Sequence, residues 1–144
     1  MVVPFTDREM KRAWRENYSV SSSSAPNKVQ NAHRLLLFYA VECGLKVLLM
    51  RHRRVSSTDC VPEIYASGHD LNKLLDHLKA GVGLKLKQQY KICDLKDNRS
   101  SQRNITSSEI NQVWRYGGQT LGEFSDKDIE ESLRKIANWI AQQI

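Results

Sequence analysis

The segment NAHRLLLFYAVECGLKVLLM, residues 31–50, constrains the fold of this chain more than any other. At helical spacing it is apolar on nearly every side, so a helix here has to be covered on more than one face. The pattern predicts one long central helix over residues 28–51, with sibling helices on one side. Its other side is covered either by further helices of the same chain or by a second copy of it. Residues 35–50 are interrupted by Glu42 and Lys46 and fall short of the roughly 20 apolar residues a bilayer span needs, so no membrane segment is expected.

The siblings can be placed from stripes and punctuation. Residues 5–18 read as a first helix, with Phe5, Met10, Trp14 and Tyr18 near helical spacing, followed by a Ser-rich connection through Pro26 and Asn27. Residues 55–67 read as a loop in which Ile64, Tyr65 and Ala66 can form a helical turn. A third helix is expected to open on a capping box from Ser67 to Asp70, carry Leu71, Leu74, Leu75 and Leu78 on one face, and stop at Gly81 and Gly83. Residues 84–92, LKLKQQYKI, alternate at first like a strand and also fit an amphipathic helix; the reading leans to helix. Residues 95–104 are polar and turn-rich and read as an exposed, disordered loop. Capping patterns at Thr106–Glu109 and Ser125–Asp128 introduce two last helices, one ending at Gly117 and Gly118, the other carrying Ile129, Leu133, Ile136, Ile140 and Ile144.

The sum is an all-α bundle of about five helices, with residues 1–144 as one domain: an N-terminal helix and Ser-rich connection over 1–27 and a core over 28–144. A chain of 144 residues is long enough for one such core. The start of the sequence meets charges after six residues, at Asp7, and lacks the apolar centre of a signal peptide. Cys43, Cys60 and Cys93 are too few and too irregular for a disulfide framework, which points to a reducing, cytoplasmic setting.

No phosphate loop, dinucleotide fingerprint or His-x-x-x-His pair is present, so no cofactor or metal is expected. Several residues nevertheless invite a role. Glu42 and Lys46 stand four apart with the acid first, the favourable order for an intrahelical pair, and in a buried helix they mark either a structural ion pair or a polar pocket. His69 and Asp70 stand together at an expected helix start, where Asp70 can cap and His69 can titrate near neutrality. Arg115 lies between Trp114 and Tyr116 and can either complement helix carbonyls or hold a phosphate or carboxylate. Arg51, Arg53 and Arg54 form a basic patch that complements a helix C-terminus or binds anions. The net charge of +6, from 22 Lys and Arg against 16 Asp and Glu, favours acidic partners without naming one.

Three pieces, RLLLFYAVECGLKVLL, GHDLNKLL and WRYGG, in this order and separated by variable loops, resemble the HEPN superfamily of small helical bundles. The resemblance covers about residues 30–143. It implies a HEPN-like bundle that pairs through its long helices. Ribonuclease members carry an Arg followed after four to six residues by a His, so that two copies build one metal-independent RNA-cleaving site. This chain departs from that pattern: no Arg precedes any of its His residues at that interval, and Thr120, Leu121 and Gly122 occupy the positions where Arg115 would need its partner. The resemblance therefore implies a non-catalytic binding or accessory protein of a toxin–antitoxin or anti-phage setting, as a homodimer or with a protein, RNA or nucleotide partner. Glu42, Lys46, His69, Asp70, Arg115 and Tyr116 are its expected pocket. The alternative is a divergent ribonuclease using His69 and Arg115.

Overall fold

A computed structural model describes residues 2–92, 103–121 and 124–144. Among the described residues, six α-helices make up most of the structure: α1 (Asp7–Ser21), α2 (Asn31–Arg53), α3 (Pro62–Ser67), α4 (Leu71–His77), α5 (Ile110–Arg115) and α6 (Asp126–Gln143). Three short strands, β1 (Gln89–Ile92), β2 (Arg103–Thr106) and β3 (Thr120–Leu121), form an antiparallel sheet in the order β2-β1-β3. The mostly helical bundle expected from the sequence is the architecture found.

The length of α2 follows from what covers it. Leu37, Phe38, Val41, Leu45, Leu48 and Leu49 are buried, together with Ala40, Val47 and Met50. On one side lie α1 and α6, and on the other α4 and α5. α1 runs antiparallel to α2, its start held against the segment after α2 by Asp7 N–H to the Ser56 carbonyl (3.0 Å) and Thr58 N–H to the Phe5 carbonyl (2.9 Å). α6 runs parallel to α2, joined near the start by Arg34 Nε to Glu130 Oε1 at 3.2 Å and near the end by Arg51 Nη1 to the Gln143 carbonyl at 3.4 Å. Gly44 marks the place where the three helices meet. A Cβ there would lie 2.8 Å from Ile140 Cγ2 and 3.0 Å from Trp14 Cε3, so a residue without a side chain lets α1 and α6 close on α2. The chain's own helices thus supply this coverage. The enclosure expected on every side is incomplete, however: a stripe through Tyr39, Cys43 and Lys46 is only half-buried.

Local chemistry sets the helix ends. Thr6 and Glu9 form a reciprocal capping box at α1, Ser125 and Asp128 another at α6, and Thr106 and Glu109 a third before α5, each satisfying amides that the helix cannot. α2 begins at Asn31 and not at residue 28, because Pro26–Lys28 forms a separate 3₁₀ turn and Gln30 N–H donates to His33 Nδ1 (3.0 Å). The expected capping box from Ser67 to Asp70 is not there. Ser67 ends α3, Gly68 turns with φ at 54°, and Asp70 is itself the cap of α4, accepting from Lys73 N–H at 3.2 Å.

Two expectations for the middle of the chain are corrected. The lean to helix for residues 84–92 fails at Gln89–Ile92, which is the central strand. Tyr90 and Ile92 point into the core while Gln89 and Lys91 face out, and the backbone is paired on both sides, Tyr90 opposite Ile105 and Ile92 opposite Thr120. Arg103 and Asn104, read as loop, belong to β2; the rest of that loop, residues 95–102, lies outside the described residues. The sheet is tied to α6 by Asp126, a buried carboxylate whose Oδ1 accepts from Trp114 Nε1 (2.9 Å), Thr120 N (3.2 Å) and Thr120 Oγ1 (2.9 Å).

Candidate functional site

The half-buried stripe of α2 carries a polar cluster. Tyr39, Glu42 and Lys46 follow one another at spacings of three and four, so the helix stacks them on one side. Glu42 is only 8% exposed, and both of its oxygens are used. Oε2 accepts from Lys46 Nζ at 3.2 Å, and Oε1 lies 2.6 Å from His69 Nδ1. An ionised carboxylate can only accept, so His69 Nδ1 is the donor to it and Nε2 is left on the far side of the ring.

His69 reaches Glu42 because the positive φ of Gly68 redirects the chain leaving α3, and because the Asp70 cap fixes the next residue at the start of α4. The imidazole remains half-exposed. Its ring stands 6.2 Å from that of Tyr39, and the Tyr39 hydroxyl accepts a hydrogen bond from Arg115 Nη2 at the end of α5. That bond, with a second contact to Tyr116, raises the pKa of Arg115 above its ordinary value. The cluster thus runs from Lys46 through Glu42 and His69 to Tyr39 and Arg115, with two permanent cations against one carboxylate. Desolvation drives interactions of this kind to be stronger than at an open surface, while the exposed edge of His69 and Arg115 leaves donors within reach of a ligand.

Cys43 lies on the same stripe and is silent as a nucleophile. Burial, with the neighbouring Glu42 charge adding to it, pushes its thiol up to about 11, so the reactive thiolate is scarce near neutrality.

Of the residues singled out from sequence, Glu42, Lys46, His69 and Arg115 come together. Tyr116 stays beside them, 76% exposed, with the Arg115 guanidinium 6.0 Å from its ring. Asp70 does not join them. It caps α4 and borders a cavity of about 610 Å³ with Lys73, Lys85 and Ser107, a space that none of the cluster residues lines. The basic patch is divided: Arg51 bonds a carbonyl at the end of α6, Arg53 pairs with Glu63 at 2.8 Å, and Arg54 closes α2 in the left-handed conformation. Tyr39 is the member that sequence reading missed. Its signal was positional: an aromatic hydroxyl three residues before Glu42 and seven before Lys46 shares their face of the helix.

Among the described residues no group of three or more His, Cys, Asp or Glu side chains is placed to hold a metal ion, and no helix is long and apolar enough to cross a membrane. No protein-family model, curated protein or solved structure matches the chain.

Proposed function

We propose that this chain is a HEPN-like binding module whose α2–α4–α5 cluster receives a phosphate group of a nucleotide or RNA. The observation that carries the reading is Glu42, a nearly buried carboxylate held between Lys46 and His69 on the one stripe of α2 that its neighbours leave half-open. A buried carboxylate consumes cations, yet this one has two partners, and Arg115 adds a further, fork-shaped donor through Tyr39. Guanidinium and imidazole donors at a partly desolvated surface suit a phosphate oxygen. Following the resemblance to HEPN bundles, the module acts as an accessory or partner protein, paired with itself or another protein, in a toxin–antitoxin or anti-phage setting. Such pairing would use surfaces other than the covered faces of α2.

Calorimetric titration with adenosine mono-, di- and triphosphate and with a short oligoribonucleotide tests the site. Binding that weakens about tenfold or more in Arg115→Ala, in line with a charge-assisted bond of about 1.5–3 kcal/mol, supports it. Equal binding by the wild type and Arg115→Ala, or purification as a monomer with no ligand and no affinity for these probes, overturns it.

A second reading is favoured by one contact, Glu42 against His69 Nδ1. A carboxylate that orients an imidazole presents Nε2 as a proton acceptor, which in RNA cleavage would take the proton of a ribose 2′-hydroxyl as its oxygen attacks the adjacent phosphorus and the 5′-oxygen leaves. Arg115 would then stabilise the charge on the phosphoryl oxygens. Incubation with RNA in chelator decides: cleavage lost in both His69→Ala and Arg115→Ala supports it, and intact RNA with wild-type protein ends it.

A further inference from the structure

One flank of α1 carries Arg8, Lys11, Arg12 and Arg15, at helical intervals of three and four that gather them into a strip about 10 Å long within an arc of roughly 100°. Trp14 is buried roughly 60–160° round the helix from these cations, with Met10 and Tyr18 packed beside it. Arg8, Arg12 and Arg15 are exposed and Lys11 is half-buried. None of the four is held by a side-chain hydrogen bond or a close ion pair, although the pKa of Glu9, lowered chiefly by the Thr6 amide, is lowered further by the Arg12 charge; Arg34, Arg53 and Arg134 are all engaged within the fold.

We propose that this row is a docking strip for the backbone of a single-stranded nucleic acid, distinct from the α2–α4–α5 cluster. Three of the four cations are arginines, whose forked donors match phosphate oxygens, and a linear row of charge complements a linear polyanion. The width of the row selects among polyanions. Glu9 and Glu16 both border it on one side, nearer the outward pole of the helix, so a broad anionic plane such as a lipid surface would press on the acids as well, whereas a thin strand can follow the cations alone.

The strip is also remote from the cluster. Gly44 faces Trp14 of α1, and Tyr39, Glu42 and Lys46 sit roughly 140–160° round α2 from it at 3.6 residues per turn. The strip therefore adds a surface to the proposed site and does not depend on it.

Fluorescence anisotropy with a labelled polyuridylate oligonucleotide, read across a salt series, tests the proposal. Four phosphate contacts on a single strand give a log–log salt slope of about −2.8, or about a 50-fold loss of affinity on raising salt from about 50 to 200 mM. The triple variant Arg8→Gln/Arg12→Gln/Arg15→Gln, which keeps helix-favouring residues, should flatten that slope by about 2. A control with the same charge loss elsewhere, Lys91→Gln/Lys127→Gln/Lys135→Gln, should keep the wild-type slope. Measuring both in an Arg115→Ala background separates the strip from the cluster. The proposal is overturned if the triple variant binds as the wild type does, or if the control loses as much. Equal displacement of the oligonucleotide by polyglutamate, or stronger capture by phosphatidylserine vesicles than by the oligonucleotide, also overturns it, because the partner would then be an acidic protein or a membrane.

Discussion

The Glu42–Lys46 pair allows stability and recognition to be separated by one set of variants. The side chains are 10% and 13% exposed and 3.2 Å apart. Removing one partner of a fully buried pair costs about 3–5 kcal/mol, whereas an exposed pair contributes about 0–1 kcal/mol. Lys46 lies on the half-open stripe and can swing its ammonium to water when Glu42 is lost, so Glu42→Gln should cost an intermediate amount, about 1–3 kcal/mol. Lys46→Met should cost about as much, since His69 is half-exposed and only partly replaces the lost cation. Removing both together leaves no stranded charge, so Glu42→Leu/Lys46→Met should return close to wild-type stability; with Glu42→Leu as the matching single variant, the coupling energy in the cycle should be about the sum of the two single costs, about 2–6 kcal/mol. Urea unfolding followed by circular dichroism measures each corner, and for a chain of this size about 1 kcal/mol corresponds to roughly 2–4 °C in melting temperature. The apolar double variant should have lost nucleotide binding while keeping its fold. Single costs that add to within about 0.5 kcal/mol would refute the premise that the pair shares a desolvated environment.

Other perturbations test the frame around the site. Gly44→Ala places a methyl 2.8 Å from a branch carbon of Ile140 and 3.0 Å from the Trp14 ring; overpacking of about 1–3 kcal/mol should outweigh the helix gain of just under about 1 kcal/mol, and Ile140→Ala, which empties buried space, should cost less in the Gly44→Ala chain than in the wild type, read by thermal unfolding. Asp126→Ala strands three donors and should cost about 3 kcal/mol or more, well above the approximately 1 kcal/mol of the Ser125→Ala cap variant, by the same measurement. The carboxyls of Glu9, Glu109 and Asp128 are held below their ordinary values, chiefly by the backbone amides of Thr6, Thr106 and Ser125. A depressed pKa contributes stability that is complete above the unfolded-state value and is lost as pH falls through the folded-state value, so the melting temperature should decline on acidification through the carboxylate range. Glu9→Gln/Glu109→Gln should flatten that decline; an unchanged acid limb would show that the caps do not supply it.

The sequence made α2, α6 and two capping boxes legible because each is decided locally. Apolar residues recur at helical spacing through α6, and Thr106 or Ser125 meets its acid three residues on whatever the rest of the chain does. The sheet was not legible, because β3 has two residues and β2 four, too few to display a period, and β1 is a strand only because both neighbours pair with it. At Ser67 the pattern for a cap was present, but the helix ended there: α3, nucleated by Pro62, had already used Ser67, and the left-handed turn at Gly68 handed capping to Asp70.

That displacement of three residues is what makes the site. Had Ser67 capped the helix, His69 would lie inside its first turn with its direction set by helical geometry. With Gly68 turning the chain and Asp70 capping, His69 falls in the connection, free to fold back on Glu42. Arg115 reaches Tyr39 by a comparable route, as the last residue of a short helix whose Trp114 is locked to Asp126. Each donor of the cluster other than Lys46 is therefore aimed by an anchored neighbour in sequence. Neither anchor touches the proposed ligand, so weakening one should loosen binding before it unfolds the bundle. Asp70→Ala, which removes the α4 cap without touching Glu42 or His69, should cost about 1 kcal/mol of stability and weaken nucleotide binding by several-fold as His69 loses its fixed approach. Binding that is unaffected by this variant would mean that His69 is positioned by Glu42 alone.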